Sequence, residues 1–175
     1  YQHPGIYVSV TEPFTKAIKN IRSMSFFDKS SLESGNLRFT DLRSMMDLMD
    51  FGATEGEVNR DEVDELVEKI EELNDGGHPV VLMGDFNLEP QSESIRMLAT
   101  IMNDSKEVSR IVSFGPEGTF NSYEVCEPAG RRIDYIFTSK FNIEVLKYGV
   151  LTDSKDLKYP SDHFPVLVVL NFVNN

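Results

Sequence analysis

Short apolar runs recur along the chain between glycine, proline and asparagine residues, and several of these runs are rich in valine and isoleucine. Runs of this length and composition predict β-strands, with turns at the breaks between them. The predicted strands lie at residues 6–10, 80–83, 118–123, 132–138, 143–151 and 165–173. Most of them fall in the second half of the chain, which is therefore predicted to be mainly β-structure.

Apolar residues at helical spacing predict a helix over residues 59–73, with Asn59 as a suitable N-cap and glycines at its end. The residues on its apolar face are Val63, Leu66, Val67, Ile70 and Leu73. Further helices are predicted at residues 12–24, 41–49 and 94–102. Helices outside a strand-rich second half indicate an α+β fold, a two-sheet β-sandwich with helices on its outer faces. Residues 1–175 are predicted to form one domain, in which 25–56 has the weakest pattern.

The strand at residues 80–83 runs into Gly84 and is followed by a carboxylate and a carboxamide, Asp85 and Asn87. Because side chains alternate between the two faces of a strand, Asp85 and Asn87 are expected to point the same way. An acid that activates water, beside a neutral donor to a phosphoryl oxygen, suits the hydrolysis of a phosphate ester. The alternative interpretation is an ordinary Gly-Asp turn.

Two later segments place polar residues next to apolar strands. Asp134 is the one carboxylate in an apolar and aromatic run, where a charge is costly unless it is paired. Asp162 and His163 lie side by side where a loop enters the last predicted strand. Taken singly, Asp134 reads as a structural acid, Asp162 as a turn residue and His163 as a surface histidine. Together, and in this order, they favour a functional site.

Three segments carry a resemblance to a known family: residues 84–87 (Gly-Asp-Phe-Asn), 132–137 (Arg-Ile-Asp-Tyr-Ile-Phe) and 161–163 (Ser-Asp-His). In this order and spacing they resemble the endonuclease/exonuclease/phosphatase family, which includes deoxyribonucleases, inositol polyphosphate phosphatases and sphingomyelinases. The similarity covers residues 58–172 and includes 118–121 as a strand between the first two motifs. It implies a deoxyribonuclease-like sandwich, from which part of the N-terminal half is expected to be missing here.

The resemblance also implies a role for each motif residue. Asp85 would take a proton from the attacking water or orient it, and Asn87 and His163 would donate hydrogen bonds to phosphoryl oxygens. Asp134 would fix the ring of His163 and favour its protonated form. Asp162 would bind a metal ion, with Asp85 and Asn87 nearby. Hard oxygen ligands and a phosphate substrate indicate Mg²⁺ or Mn²⁺.

The resemblance is incomplete in the first part of the chain. The family contributes from its N-terminal half an early asparagine, a glutamate that is the main metal ligand, and a histidine after a threonine. None of these has a match: Glu12 is a weak candidate for the glutamate, His3 is in a terminal segment, and His78 is predicted to be exposed in a loop. Three explanations compete: the chain is a piece of a complete enzyme, it takes its other sheet from a second chain, or it binds without catalysing. We favour the first, because the residues of the later motifs are all present.

The formal net charge is −12, and no basic run is longer than Arg131-Arg132. Proteins that bind long nucleic acids usually present a basic surface. The charge therefore disfavours an endonuclease of duplex DNA and favours a small phosphorylated molecule, a nucleotide or a lipid head group as the substrate.

The sequence thus predicts a metal-dependent hydrolase of phosphate esters, with a nuclease and a catalytically incomplete binding domain as alternatives. Cys126 is the single cysteine, which excludes an internal disulfide. No apolar run reaches the length of about 18 residues that would predict a membrane span. The compartment stays open between the cytoplasm and, after removal of a signal segment, an extracellular or periplasmic location. The oligomeric state also stays open.

Overall fold

A computed structural model describes residues 5–9, 29–34, 37–41, 77–125 and 127–173, with the single positions 19, 22, 67, 68, 70 and 72. The described elements, in chain order, are β1 (Gly5–Ser9), α1 (Lys29–Glu33), β2 (Leu37–Asp41), β3 (Val81–Asp85), α2 (Glu93–Ile101), β4 (Met102–Asp104), β5 (Asp134–Ser139), β6 (Ile143–Val150) and β7 (Val166–Phe172). Among the described elements the strands outnumber the helices, and the strands from β3 onward pair antiparallel. The predicted α+β class is confirmed.

The strands form two antiparallel sheets and a parallel pair. Strand β5 is the central strand of the first sheet, in the order β3-β5-β4, and β6 pairs with β7 in the second. Strands β1 and β2 form the parallel pair. In the first sheet Asp85, the last residue of β3, is directly opposite Asp134, the first residue of β5. The sheet register therefore brings two residues of the predicted site together.

The main core lies between β3, β5 and α2. Its buried members are Leu82, Phe86, Leu88, Ile95, Leu98, Met102, Tyr135 and Phe137. Helix α2 presents Ile95 and Leu98 to this core, and its first turn is capped by the Ser92 hydroxyl, which accepts a hydrogen bond from the Ile95 N–H. The aromatic rings of Phe86 and Tyr135 meet edge to face, with centroids 5.7 Å apart. This packing fixes the ends of β3 and β5, from which the site is built.

Several sequence predictions are confirmed with small changes of boundary. The strands predicted at 132–138, 143–151 and 165–173 are β5, β6 and β7, and the helix predicted at 94–102 is α2. Within the helix predicted at 59–73, the described positions 67, 68, 70 and 72 are helical. Val67 and Ile70 pack against the main core. The other residues of that helix, and most of the segments 12–24 and 41–49, lie outside the described residues.

The strand predicted at residues 118–123 is wrong. Only Phe120 pairs in this segment, through isolated bridges to Arg131 and His163. Ser122 and Tyr123 have φ angles of 53° and 63°, so two consecutive residues in the left-handed region turn the chain instead of extending it. The strand β3 is also less buried than its apolar run predicted, since 37% of Met83 is exposed. Strands β2 and β4 were not predicted from the sequence.

Among the described helices, none combines the length and hydrophobicity that crossing a bilayer requires.

Candidate active site

Asp85 and Asn87 form a local turn at the end of β3. The Asp85 Oδ1 accepts a hydrogen bond from the Asn87 backbone N–H at 2.9 Å, and Oδ2 accepts one from the Asn87 Nδ2 at 3.3 Å. Asn87 has a φ of 53°, a left-handed conformation that asparagine tolerates better than most residues. The two side chains meet as predicted, but for a different reason. The strand ends at Asp85, so the turn brings them together and strand alternation does not.

Between them, Phe86 anchors the turn. Its side chain is 3% exposed in the main core, and its N–H donates to the Ile133 carbonyl at 2.8 Å. That bond continues the pairing of β3 with the chain just before β5. Asp85 and Asn87 therefore flank a buried residue, which anchors the turn that carries their polar groups.

His163 and Asp134 form an ion pair that brings distant segments of the sequence together. The His163 Nδ1 lies 2.9 Å from the Asp134 Oδ2, and the side chains are 26% and 19% exposed. His163 is held in place by its own backbone N–H, which donates to the Ser161 hydroxyl, and by an isolated bridge to Phe120. The ring edge of Phe120 also packs against the imidazole, with centroids 5.2 Å apart. The loop that carries His163 is thus fixed next to the start of β5.

Asp85, Asp134 and His163 lie close enough to act on one small group. One nitrogen or oxygen atom from each residue lies within 4.8 Å of the others. In the part of the chain that the structure describes, this is the one such group of acidic, histidine and cysteine side chains. Three segments that are far apart in sequence therefore converge at one end of the β3–β5 pair.

The surroundings shift the pKa values of two of these groups. Burial raises the pKa of the Asp85 carboxyl, the Asn87 backbone N–H opposes this, and the negative charge of Asp134 adds to the rise. For His163, burial alone would lower the pKa, but the hydrogen bond and charge of Asp134 outweigh it, so the pKa of the imidazole is raised. The Asp85 carboxyl therefore loses its proton less readily than an ordinary aspartate, and the His163 imidazole keeps its proton more readily than an ordinary histidine.

Asp162 is placed differently from its predicted neighbours. Its carboxylate is not part of the group formed by Asp85, Asp134 and His163, and the Ser161 hydroxyl lies 3.4 Å from its Oδ1. Its negative charge nevertheless contributes to the raised pKa of both Asp85 and His163. Asp162 therefore lies near the site without joining the group, and its role as a metal ligand stays a prediction.

The donor set around Asp85 suits a hard divalent cation. Like charges directly opposite each other on neighbouring strands repel, and Asp85 and Asp134 are such a pair. His163 compensates the charge of Asp134, whereas Asp85 has a raised pKa and neutral donors from Asn87. A cation beside Asp85 would relieve the repulsion. Carboxylate and amide oxygens are the ligands that Mg²⁺ and Mn²⁺ prefer.

The other histidine of the described segments, His78, does not join the site. It is exposed, as predicted, and lies in an irregular stretch before β3. His3 and Glu12, the remaining candidates from the sequence, lie outside the described residues.

Sequence analysis missed two residues that hold the site in place. The hydroxyl of Thr119 accepts hydrogen bonds from the N–H groups of Ile133 and Asp134. The carboxylate of Asp104 forms a buried ion pair with Arg132, two residues before Asp134. The arginine was a usable signal, because a guanidinium next to an apolar strand needs a buried acidic partner. Nothing in the sequence identified Asp104 as that partner.

A family model matches residues 26–163, and its description is the endonuclease/exonuclease/phosphatase family. The match spans well over half of the chain, so the chain belongs to this family. Its members are generally hydrolases, and they typically depend on a divalent metal ion.

Solved structures with similar folds include three bacterial proteins. A mannosyl-6-phosphatase from Bacteroides thetaiotaomicron is 35% identical, with a TM-score of 0.58 over 63% of this chain and 45% of that one. A family protein from the same species is 34% identical, with a TM-score of 0.59 over 65% and 44%. A conserved protein of unknown function from Enterococcus faecalis is 33% identical, with a TM-score of 0.56 over 63% and 44%. The chain thus spans less than half the length of these structures. A comparison with curated proteins gave no match.

Proposed function

We propose that this protein hydrolyses phosphate esters of small molecules with the help of a divalent metal ion. The observation that carries the proposal is the Asp134–His163 pair, with a separation of 2.9 Å, next to Asp85. An imidazolium held by one carboxylate and a second carboxylate of raised pKa divide the work of an acid–base reaction between them. The similarity to a mannosyl-6-phosphatase favours a phosphate monoester, such as a sugar phosphate, as the substrate.

In this proposal four side chains act on the water and the phosphate. Asp85 orients the attacking water and accepts its proton. His163, as a cation, donates a hydrogen bond to a phosphoryl oxygen and balances its negative charge. Asn87 donates to another phosphoryl oxygen through its amide, which carries no charge at any pH. Asp134 keeps the imidazole of His163 protonated and correctly oriented.

The metal ion belongs to the same proposal. Asp85, Asn87 and Asp162 would hold Mg²⁺ or Mn²⁺ through oxygen atoms. When bound, the ion would neutralise charge on the phosphate. It would also compensate the repulsion between Asp85 and Asp134, which the chain's own residues leave only partly balanced.

The proposal also covers the arrangement of the sheets. We infer that the two antiparallel sheets belong to one two-sheet sandwich in a single domain, since β5 of the first sheet contacts β7 of the second.

The charge of the chain supports the choice of a small substrate. A net charge of −12 disfavours a long polyanion as the substrate. Among the residues near the site, Arg131 is paired with Glu89 at 3.0 Å, so its charge is already partly compensated. A nuclease is therefore the weaker alternative.

An assay with nitrophenyl esters tests the proposal. We expect the full chain with Mg²⁺ to hydrolyse 4-nitrophenyl phosphate faster than bis(4-nitrophenyl) phosphate, and a chelator to stop the reaction. Replacing Asp85 or His163 with alanine should lower the rate by about 10²–10⁴-fold, because each substitution removes an acid–base or oxyanion-stabilising group. Unfolding should stay cooperative in both variants.

Exposed residues of the same types provide the controls. Asp153→Ala and His78→Ala remove an exposed aspartate and an exposed histidine, and both should retain wild-type activity. Full turnover in Asp85→Ala or His163→Ala would refute the site. If calorimetry detects no Mg²⁺ binding at millimolar metal, the proposed metal-dependent function is wrong and the alternative of a catalytically incomplete binding domain is favoured.

A further inference from the structure

The side chain of Thr119 is completely buried, with 0% of the residue exposed. Its Oγ1 accepts hydrogen bonds from the backbone N–H groups of Ile133 and Asp134, both at 3.1 Å. A hydroxyl oxygen has two acceptor lone pairs, so one atom can satisfy both donors. Ile133 is 2% exposed, and water therefore cannot replace the hydroxyl as the acceptor for its N–H. One oxygen atom thus satisfies two backbone donors at the start of β5.

The backbone of Thr119 reaches the other side of the site as well. Its N–H donates to the Arg131 carbonyl at 2.8 Å, and its carbonyl accepts a hydrogen bond from the Phe164 N–H at 2.7 Å. Phe164 immediately follows His163. Thr119 is thus bonded both to the segment that carries Asp134 and to the segment that carries His163.

The two residues after Thr119 reinforce the same link. Phe120 bridges Arg131 and His163, and its ring lies against the imidazole. The N–H of Asn121 donates to the Asp162 carbonyl at 2.7 Å, and its side-chain amide donates to the Ser161 carbonyl at 3.2 Å. Residues 119–121 are therefore hydrogen-bonded both to the segment that carries Asp134 and to the segment that carries His163.

We infer that Thr119 is a positioning residue: its hydroxyl holds the backbone of Asp134 where the carboxylate meets the His163 imidazole. The inference rests on the function proposed above, because it assigns Thr119 to the same site. Losing the hydroxyl would leave two buried N–H groups without an acceptor, and the start of β5 would have to move to recover partners. A shift of a few tenths of an ångström would lengthen the 2.9 Å contact between Asp134 and His163.

The chain contains a matched control for this residue. Thr138 is also a threonine with 0% exposure, and it lies on β5 itself. Its Oγ1 has no hydrogen-bond partner among the described residues. Thr138→Val therefore makes the same chemical change at the same burial, without removing an acceptor from backbone donors.

The test compares Thr119→Val, Thr119→Ser and Thr138→Val in the full chain. We expect Thr119→Val to lower kcat for 4-nitrophenyl phosphate by about 10–100-fold, the usual effect of losing a residue that orients a functional side chain. KM should change little, because Thr119 is completely buried. Thr119→Ser keeps the hydroxyl and should recover most of the activity, and Thr138→Val should match the wild type.

A second measurement requires no catalysis. The proton that His163 shares with Asp134 should give a downfield imidazole resonance in the proton NMR spectrum of the protein without substrate. This resonance should persist in Thr119→Ser and Thr138→Val and be lost in Thr119→Val. If Thr119→Val does not fold, Thr119→Ser and Thr119→Ala provide the same comparison, since they differ only by the hydroxyl oxygen.

The two measurements separate this inference from the proposed function. If Thr119→Val keeps both the wild-type kcat and the resonance, or if serine and alanine behave alike, the positioning role is wrong even though the enzyme works. If the resonance is lost in Thr119→Val while no variant, nor the wild type, hydrolyses the ester, the positioning role holds and the proposed function fails.

Discussion

The segment around the start of β5 carries two ion pairs of opposite character. Arg132 and Asp104 form a closed pair: their side chains are 6% and 7% exposed, and two hydrogen bonds of 3.2 and 2.5 Å join the guanidinium to both carboxylate oxygens. Asp134 and His163 form an open pair, with one contact of 2.9 Å and side chains that are 19% and 26% exposed. Both pairs join distant parts of the chain, but only the open pair can reach a ligand from solvent.

The difference lies in what each cation can do. The guanidinium of Arg132 stays charged at any pH relevant to a protein, and it also stacks over the Tyr135 ring at 4.6 Å. It can hold a fold together but cannot exchange a proton. An imidazole can gain and lose a proton in the physiological pH range, and the surroundings of His163 raise its pKa above the ordinary value. The closed pair therefore serves stability, and the open pair is available for chemistry.

Breaking the closed pair should give the largest change in stability. Asp104→Ala leaves the Arg132 guanidinium buried without its partner, and a change of this kind costs about 3–5 kcal/mol. Urea unfolding followed by circular dichroism should show this loss in the free energy of unfolding. Asp153→Ala, at an exposed aspartate, should leave that free energy near the wild-type value.

Breaking the open pair should affect activity much more than stability. Asp134→Asn should change the free energy of unfolding by less than about 1 kcal/mol, because the pair is partly exposed. Its activity should fall by about 10²–10⁴-fold, because His163 loses the group that orients and charges it. If Asp134→Asn proved the less stable variant and Asp104→Ala the less active one, the assignment of the two pairs would have to be exchanged.

A glycine before Thr119 provides a smaller and more selective perturbation. A Cβ added at Gly118 would lie 2.4 Å from the Ala129 carbonyl oxygen and 2.7 Å from the Arg131 nitrogen, both of them backbone atoms. Gly118→Ala must therefore push residues 118–121 away from residues 129–131, the segment that leads into β5. We expect a loss of about 1–3 kcal/mol, typical of overpacking, with a fall in kcat as the open pair separates.

Gly130 supplies the control for this substitution. A Cβ at Gly130 would meet no atom within 4 Å, so Gly130→Ala should affect neither stability nor activity strongly. Equal effects of the two alanine substitutions, in unfolding and in rate measurements, would show that close approach at Gly118 is not what holds the open pair.

The smallest expected effect is a pH dependence of stability and rate that comes from the open pair. Because the folded-state pKa of His163 is raised, its pairing stabilises the fold fully below the unfolded value of about 6.5, and this contribution is lost as pH rises through the folded value. Asp134→Asn removes the main causes of the rise, so burial, which lowers the pKa of His163, is opposed only by the smaller effects of the Asp85 and Asp162 charges. The alkaline limb of the pH–rate profile should then move to lower pH, with a matching shift in the NMR titration of the His163 ring. An unchanged titration would contradict the role of Asp134.

The local elements could be predicted from the sequence, and contacts between distant residues mostly could not. Apolar runs located β5, β6 and β7, because burial in a sheet leaves a direct pattern in the sequence. The strand predicted at 118–123 failed because its apolar and β-branched residues pair only at Phe120, and the turn at Ser122 and Tyr123 has no glycine or proline to announce it.

In the site, too, some residues could be predicted from the sequence and others could not. The motifs correctly selected Asp85, Asp134 and His163 as residues that meet, since the resemblance carried information about the fold that composition lacks. The hydroxyl of Thr119 and the carboxylate of Asp104 could not be selected. Their importance comes from which backbone or side-chain groups lie next to them in space, and no spacing in the sequence encodes those neighbours.

Phe86 ties the proposed water-activating turn to the interior of the protein. It stands between Asp85 and Asn87, and its ring meets Tyr135 and Phe137 edge-on, with centroids 5.7 and 5.9 Å apart. A redesign of this interior for greater heat resistance would therefore have to keep the position of Phe86, because a close-packed interior transmits a change of shape to the turn. In a directed-evolution library, positions 86, 135 and 137 should vary together or stay fixed, because a substitution at any of them changes both the packing of the interior and the rate of hydrolysis.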